Sequence, residues 1–140
     1  MRFVSVVAAS VGLAASVAFA QPVTTAFTYQ GELSQSGAPA EGVYDLRFRL
    51  YSASSGGSAV GPVLCSDNVA VSGGRFTVVL DFGAQYAGQQ RFLEIEVRPD
   101  TGAACGAGGG YTLLSPRQEL TITPYAAYAL YSGITASIDA

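Results

Sequence analysis

Apolar and polar residues alternate one by one along several segments, and this alternation constrains the fold more than any other feature of the chain. In the clearest segment, residues 44–50, the apolar positions are Tyr44, Leu46, Phe48 and Leu50. Similar patterns cover 27–33, 75–82 and 93–98, and a weaker one covers 63–71. Leu113 and Leu120–Ile122 suggest one or two short closing strands. Because successive side chains of a β-strand point to opposite faces, the pattern predicts antiparallel sheets with one apolar and one wet face. The predicted fold is mainly β, an antiparallel β-sandwich of about seven strands with Ig-like or prealbumin-like topology.

The segments between the predicted strands contain turn-forming residues and both cysteines. Ser72-Gly73-Gly74 is short enough for a hairpin turn, since Gly supplies the positive φ angles that such turns need. Cys65 and Cys105 are the only cysteines, and they lie 40 positions apart. A disulfide between them would stabilise the fold by about 4 kcal/mol in the loop-entropy model and would tie down the Gly-rich segment 101–110. The alternatives are a free reactive thiol or an intermolecular bridge.

The first twenty residues have the pattern of an N-terminal signal peptide. Met1-Arg2 gives a positive start, Phe3–Val17 is an apolar run, and Ala18-Phe19-Ala20 is a signal-peptidase site. The run is shorter than the roughly 20 residues of a spanning helix, which favours cleavage over a retained anchor and predicts no membrane span in the mature chain. We expect a signal peptide at 1–20, a β-sandwich domain at 21–131 and a flexible tail at 132–140. The expected location is secreted, at the cell surface or in the periplasm.

Composition excludes most enzyme classes. The chain has no His, Lys or Trp, which removes Ser-His and Cys-His nucleophile pairs, imidazole zinc ligands, Schiff bases and the P-loop lysine. No cofactor is implied. Without the first twenty residues, six Arg face ten acidic residues, a net charge of −4 that does not favour nucleic acid as a partner.

The carboxylates are the remaining candidates for chemistry or for metal binding. Glu94 and Glu96 lie two apart on one strand, roughly 6.5–7 Å from each other, near the spacing of an inverting glycosidase. The alternation places both on the wet face, where ion pairs with arginines such as Arg47 and Arg49 are the favoured interpretation. Residues that could donate oxygens to calcium are Asp67, Asn68, Asp81 and Asp100, but their spacing matches no calcium loop and they are also common turn formers.

Five tyrosines are candidate interaction residues. Tyr86 and Tyr111 fall in predicted loops, where their rings could stack on sugars, whereas Tyr29 and Tyr44 belong to the predicted core. At the C-terminal end, Thr123-Pro124 predicts the start of a short helix. Along it, Tyr125, Tyr128 and Tyr131 recur every three residues. Such a row either packs back on the sandwich or forms a self-association stripe.

Several blocks of the sequence resemble the N-terminal module of secreted bacterial surface proteins of the tail-fibre-domain or collagen-like type. They are Phe27-Thr28-Tyr29-Gln30-Gly31-Glu32-Leu33, Tyr44-Asp45-Leu46-Arg47-Phe48, Gly74-x-Phe76-x-Val78-x-Leu80-Asp81-Phe82-Gly83, Arg91-Phe92-Leu93-Glu94-Ile95, Leu114-Ser115-Pro116-Arg117-Gln118 and Thr123-Pro124-Tyr125-Ala126. The resemblance, over about residues 26–130, implies a β-sandwich without a catalytic residue set, followed in longer members by a repetitive stalk. Ala140 falls where those stalks begin, so a free-standing module and a truncated fibre protein both stay open.

These observations predict a non-catalytic structural or adhesion module, secreted or on the cell surface, that could form the head of a fibre-like assembly. The expected partners are copies of the same chain, in a trimer, or other surface proteins. The alternative function is that of a carbohydrate-binding module, with a glycan as ligand.

Overall fold

The computed structural model describes residues 24–86 and 88–121. Three predictions lie outside these residues: the signal peptide at 1–20, the helix starting at Thr123 with its three tyrosines, and the tail at 132–140. They therefore stay predictions.

Eight β-strands and no helix make up the described part of the chain. The strands are β1 (Phe27–Glu32), β2 (Ser34–Gln35), β3 (Ala38–Pro39), β4 (Gly42–Tyr51), β5 (Val60–Val71), β6 (Arg75–Leu80), β7 (Arg91–Pro99) and β8 (Thr112–Leu120). Every strand pair is antiparallel. The predicted class, mainly β and antiparallel, is confirmed.

The longer strands form two sheets around one core. Strands β5, β4, β7 and β8 lie side by side in that order, β1 pairs with β6, and the two-residue strands β2 and β3 form a small hairpin. Both larger sheets contribute buried side chains to the same hydrophobic cluster. A closed sandwich of about seven strands stays a prediction.

Strands β4 and β7 supply the centre of the core. Their register places Leu46 opposite Val97, Phe48 opposite Ile95 and Leu50 opposite Leu93. The three β4 side chains are completely buried. From the other sheet, the ring of Tyr29 lies 6.4 Å from that of Phe48 in an edge-to-face arrangement, which is favourable for aromatic pairs. The apolar face predicted from the alternation at 44–50 is therefore confirmed.

The predicted hairpin turn at Ser72–Gly74 joins β5 to β6. Gly73 and Gly74 have φ angles of 58° and 76°, in the left-handed region that favours glycine. The turn is also tied to the neighbouring chain, since Gly74 donates its N–H to the carbonyl of Ala40 at 2.9 Å. Its own carbonyl accepts the N–H of Leu33 at 2.6 Å.

Gly74→Ala should destabilise the protein by roughly 1–3 kcal/mol more than Gly73→Ala. Both variants place alanine in the left-handed region, which costs about 1–2 kcal/mol. A Cβ at Gly74 would also lie 2.8 Å from the carbonyl oxygen of Leu33, whereas a Cβ at Gly73 has no atom within 4 Å. Urea unfolding of the two variants measures the difference. Equal midpoints would show that the hairpin relaxes away from Leu33.

Candidate functional site

Charged side chains of β4 and β7 face each other across the surface of the four-stranded sheet that points away from the core. The register places Asp45 opposite Arg98, Arg47 opposite Glu96, and Arg49 opposite Glu94. Opposite charges directly across two strands stabilise a sheet. We call these six residues the polar face, and their partners decide what this surface can do.

At one end of the polar face, Asp45 and Arg98 form a buried ion pair. Nε of Arg98 lies 2.9 Å from Oδ2 of Asp45, and the two side chains are 4% and 0% exposed. The other Asp45 oxygen accepts the backbone N–H of Asn68 at 3.3 Å. Burial alone would raise the pKa of Asp45, but these hydrogen bonds from Arg98 and Asn68 outweigh it, and the pKa is lowered.

The stability of the protein should fall in acid partly because of Asp45. A pKa lowered by folding contributes stability above the unfolded-state value, about 3.9, and the contribution is lost as the pH falls through the folded value. We expect the urea midpoint of the wild type to drop more steeply than that of Asp45→Asn between about pH 5 and about pH 2. Parallel pH profiles of the two proteins would contradict this role of Asp45.

The Gly-rich segment 101–110 folds over this end of the polar face. A disulfide joins Cys65 of β5 to Cys105, with the two Cα atoms 5.9 Å apart. Arg98 also donates to the carbonyls of Ala107, Gly109 and Ala104 at 2.9, 3.0 and 3.3 Å. The predicted pairing of the two cysteines is present, and the arginine supplies a second anchor for the loop. Asp45 and Arg98 are buried because the loop 101–110 lies over them.

Tyr111 lies beneath the same loop, held by arginines. Its hydroxyl donates to the carbonyl of Cys105 at 2.7 Å. The guanidinium carbon of Arg47 lies 4.0 Å from the centre of the ring, and that of Arg98 lies 4.6 Å away. Cation–π contacts of this kind are worth about 0.5–2 kcal/mol. The structure therefore places Tyr111 in a network of internal contacts.

At the other end of the polar face, Glu94 is the centre of a second network. Its carboxylate accepts the hydroxyl of Tyr51 at 3.2 Å and Nε of Arg117 at 3.2 Å. The guanidinium of Arg117 also lies over the ring of Tyr51, 3.4 Å from its centre. Nη1 of Arg49 bridges the two glutamates, at 2.8 Å from Glu96 and 3.7 Å from Glu94.

Two predictions about these glutamates are corrected. The predicted pairing with Arg49 is confirmed, but Arg47 donates instead to the carbonyl of Cys105, at 3.1 and 3.3 Å. The prediction that both glutamates lie on a wet face is wrong for Glu94, which is only 9% exposed. Tyr51 and Arg117 cover it, and the alternation of the sequence predicts no contact with Glu94 for either residue.

Glu94→Gln should destabilise the protein by about 1.5–3 kcal/mol, because it removes the charge from several partly buried hydrogen bonds. Glu96→Gln is the matched control, since its main partner is Arg49 and its side chain is 22% exposed, against 11% for Glu94. We expect this second change to cost under about 1 kcal/mol. Urea unfolding followed by circular dichroism gives both values. A larger effect at Glu96 would show that Arg49 holds the network together.

Tyr86, the other loop tyrosine, packs against the core. Its ring lies 6.0 Å from that of Phe27 in an edge-to-face contact. The hydroxyl is buried and forms no hydrogen bond with any described residue. Burial raises the pKa of Tyr86 to about 12. The ring is half-buried, so only part of it is available to a ligand.

The acidic residues considered for calcium serve as local hydrogen-bond acceptors. Asp100 accepts the N–H of Gly102 at 2.8 Å, and Asp81 accepts that of Gly83 at 2.9 Å. Asp67 accepts the side-chain amide of Asn68 at 3.2 Å. Across residues 24–86 and 88–121, no three His, Cys, Asp or Glu side chains converge in a cluster that could hold a metal ion. The same residues include no helix with the length and apolar character needed to cross a membrane.

Comparison with known proteins identifies one family. No curated protein and no solved structure shows significant similarity to the chain. The family model described as "Domain of unknown function (DUF8740)" matches residues 28–117, which include most of the β-strands and both cysteines. The chain therefore belongs to the DUF8740 family.

Proposed function

We propose that the protein is a non-catalytic structural or adhesion module, secreted or displayed on the cell surface, that works by binding other protein surfaces. The observation that carries the proposal is the composition of the outer surface of the four-stranded sheet. Its two central strands carry charged side chains that are paired within the chain. Its two outer strands carry exposed apolar side chains, Val63 at 52% and Leu113 at 54%.

The pairing of the charges supports a role other than catalysis. Glycoside hydrolysis by a pair of carboxyl groups needs one group that is free to donate a proton and one that is free to accept a proton or attack the sugar. Arg49 contacts both Glu94 and Glu96, and Arg117 forms an ion pair with Glu94. A substrate would have to displace these arginines to reach either carboxylate.

The contacts of the tyrosines favour protein binding over sugar binding. Sugar stacking needs an open aromatic face, but arginines lie over the rings of Tyr51 and Tyr111. In contrast, Val63 and Leu113 are exposed on β5 and β8, the outer strands of the sheet, where a protein partner could cover them. A second copy of the chain is the partner that can be tested first.

Light scattering of the purified secreted protein over a range of concentrations tests this function. We expect self-association that weakens in Val63→Asp and in Leu113→Asp. Val79→Asp is the matched control, since Val79 is 68% exposed on the other sheet, and this variant should associate like the wild type. A protein that stays monomeric at all concentrations would contradict self-assembly. Saturable binding on a glycan array, lost in Tyr111→Ala, would favour the carbohydrate-binding alternative.

A further inference from the structure

An open groove of about 480 Å³ lies between β1 and β8. Its lining combines apolar and polar side chains. The apolar ones are mainly Tyr29, Phe76, Leu93, Ile95, Leu114 and Pro116, and the polar ones are Gln30, Glu32, Ser34, Ser115 and Gln118. Leu93 and Ile95 belong to the central cluster of the core, so the groove reaches the main hydrophobic core of the protein. Apolar surface of this kind is stabilised when another segment covers it.

The groove exists because the two sheets differ in width. Within the described residues, β1 pairs along one edge only, with β6, whereas the opposing sheet has four strands. At Gly31, β1 contributes no side chain to the lining, and the ring of Phe76 lies against this position. A Cβ at Gly31 would come within 2.7 Å of Cε1 of Phe76. The groove and the open edge of β1 therefore form one site, next to which a further segment could lie.

The chain leaves β8 at one end of this groove. Leu120, the last residue of β8, pairs with Arg91. Nε of Arg91 donates to the carbonyl of Gln85 at 2.7 Å, and the neighbouring Tyr86 contacts the ring of Phe27 at the start of β1. These contacts indicate that β8 ends on the side of the groove where β1 begins.

We propose that residues 122–131 of the same chain occupy this groove. The segment contains no charged residue and carries Ile122, Tyr125, Tyr128 and Leu130. Aliphatic side chains and tyrosines, whose hydroxyls can form hydrogen bonds, suit a groove that is lined by both apolar and polar residues. Ten residues reach up to about 33–36 Å, whereas the part of β1 that lines the groove, residues 29–33, spans about 13–17 Å. An extended segment is therefore long enough for a turn and for full coverage of the groove, and a ten-residue helix, about 15 Å long, also matches this span.

Attachment to β8 favours the chain's own segment over that of a second copy. A segment that is covalently linked to the end of the groove is present there at millimolar effective concentration. A second copy would pay the cost of lost translational and rotational freedom for the same contacts. The inference is independent of the proposed function, which concerns the opposite surface of the four-stranded sheet.

A single tryptophan tests the proposal, because the wild-type chain contains none. In full-length Tyr128→Trp we expect emission at shorter wavelength than in urea, and this shift should not depend on protein concentration. Leu114→Asp, added to this background, should abolish the shift because Leu114 lines the groove. Leu113→Asp is the matched control, since Leu113 lies next along β8 on the polar-face side, opposite Glu96, and it should leave the shift unchanged.

Hydrogen exchange gives a second test that leaves the core untouched. The double variant Tyr125→Asp/Tyr128→Asp should exchange about tenfold faster than the wild type over residues 27–33, while residues 42–51 stay unchanged. Unchanged exchange over residues 27–33 would overturn the proposal, as would tryptophan emission equal to that in urea. A blue shift that grows with protein concentration would assign the groove to a second copy and would also overturn it. If Leu113→Asp loses self-association but keeps the blue shift, the outer surface of the four-stranded sheet and the groove act independently, as proposed.

Discussion

Arg98→Ala is expected to lower the free energy of unfolding by about 3–5 kcal/mol, because it leaves the buried charge of Asp45 without its partner. The Asp45 side chain is completely buried, so water cannot replace the guanidinium. The same change removes the hydrogen bonds from Arg98 to three carbonyls of the loop 101–110. Urea unfolding at neutral pH, followed by circular dichroism, measures the loss.

Two further variants show whether burial causes the effect. Arg75→Ala breaks the pair between Arg75 and Glu32, whose side chains are 81% and 79% exposed, and it should cost under about 1 kcal/mol. Asp45→Asn/Arg98→Met removes both charges of the buried pair and should be more stable than Arg98→Ala alone, since no unpaired charge remains. If Arg98→Ala costs no more than Arg75→Ala, the buried pair does not stabilise the fold.

The sequence predicts the core-facing residues of the strands well, because apolar residues at every second position lie on one face of a strand. The pattern at 44–50 matches the buried apolar positions of β4, and that at 93–98 matches the buried apolar positions of β7. The end of the fold was harder to predict. Leu113 and Leu120–Ile122 suggest one or two short strands, and Thr112–Leu120 form one strand of nine residues. This strand contains Ser115-Pro116-Arg117-Gln118, in which polar residues interrupt the alternation.

The contacts of the polar face could not be predicted from the same period. Alternation places Asp45 and Glu94 on the side away from the core but says nothing about what covers that side. Asp45 is buried because the loop 101–110 lies over it, and Glu94 because Arg117 reaches it from β8. Both contacts depend on strand order and register. The pairing of the only two cysteines, in contrast, needs no register and was predicted directly.

Removal of the disulfide by Cys65→Ala/Cys105→Ala is expected to destabilise the protein by about 4 kcal/mol, because a cross-link between residues 40 positions apart restricts the unfolded chain. The bond also holds the loop 101–110 against the polar face, where Cys105 is 3% exposed. Without it, only side-chain hydrogen bonds would anchor the loop. Urea unfolding of the double variant and of the oxidised wild type measures the difference.

A double-mutant cycle with Arg47 separates the two effects of the disulfide. Arg47 donates to the carbonyls of Cys105 and Gly108, so Arg47→Ala should cost about 1.5–3 kcal/mol in the oxidised wild type. If the loop leaves the polar face when the bond is absent, the same change should cost much less in the cysteine-free protein. Equal costs would mean that Arg47 and Arg98 hold the loop in place by themselves. The disulfide would then act on the unfolded chain alone, and the polar face would keep its cover under reducing conditions.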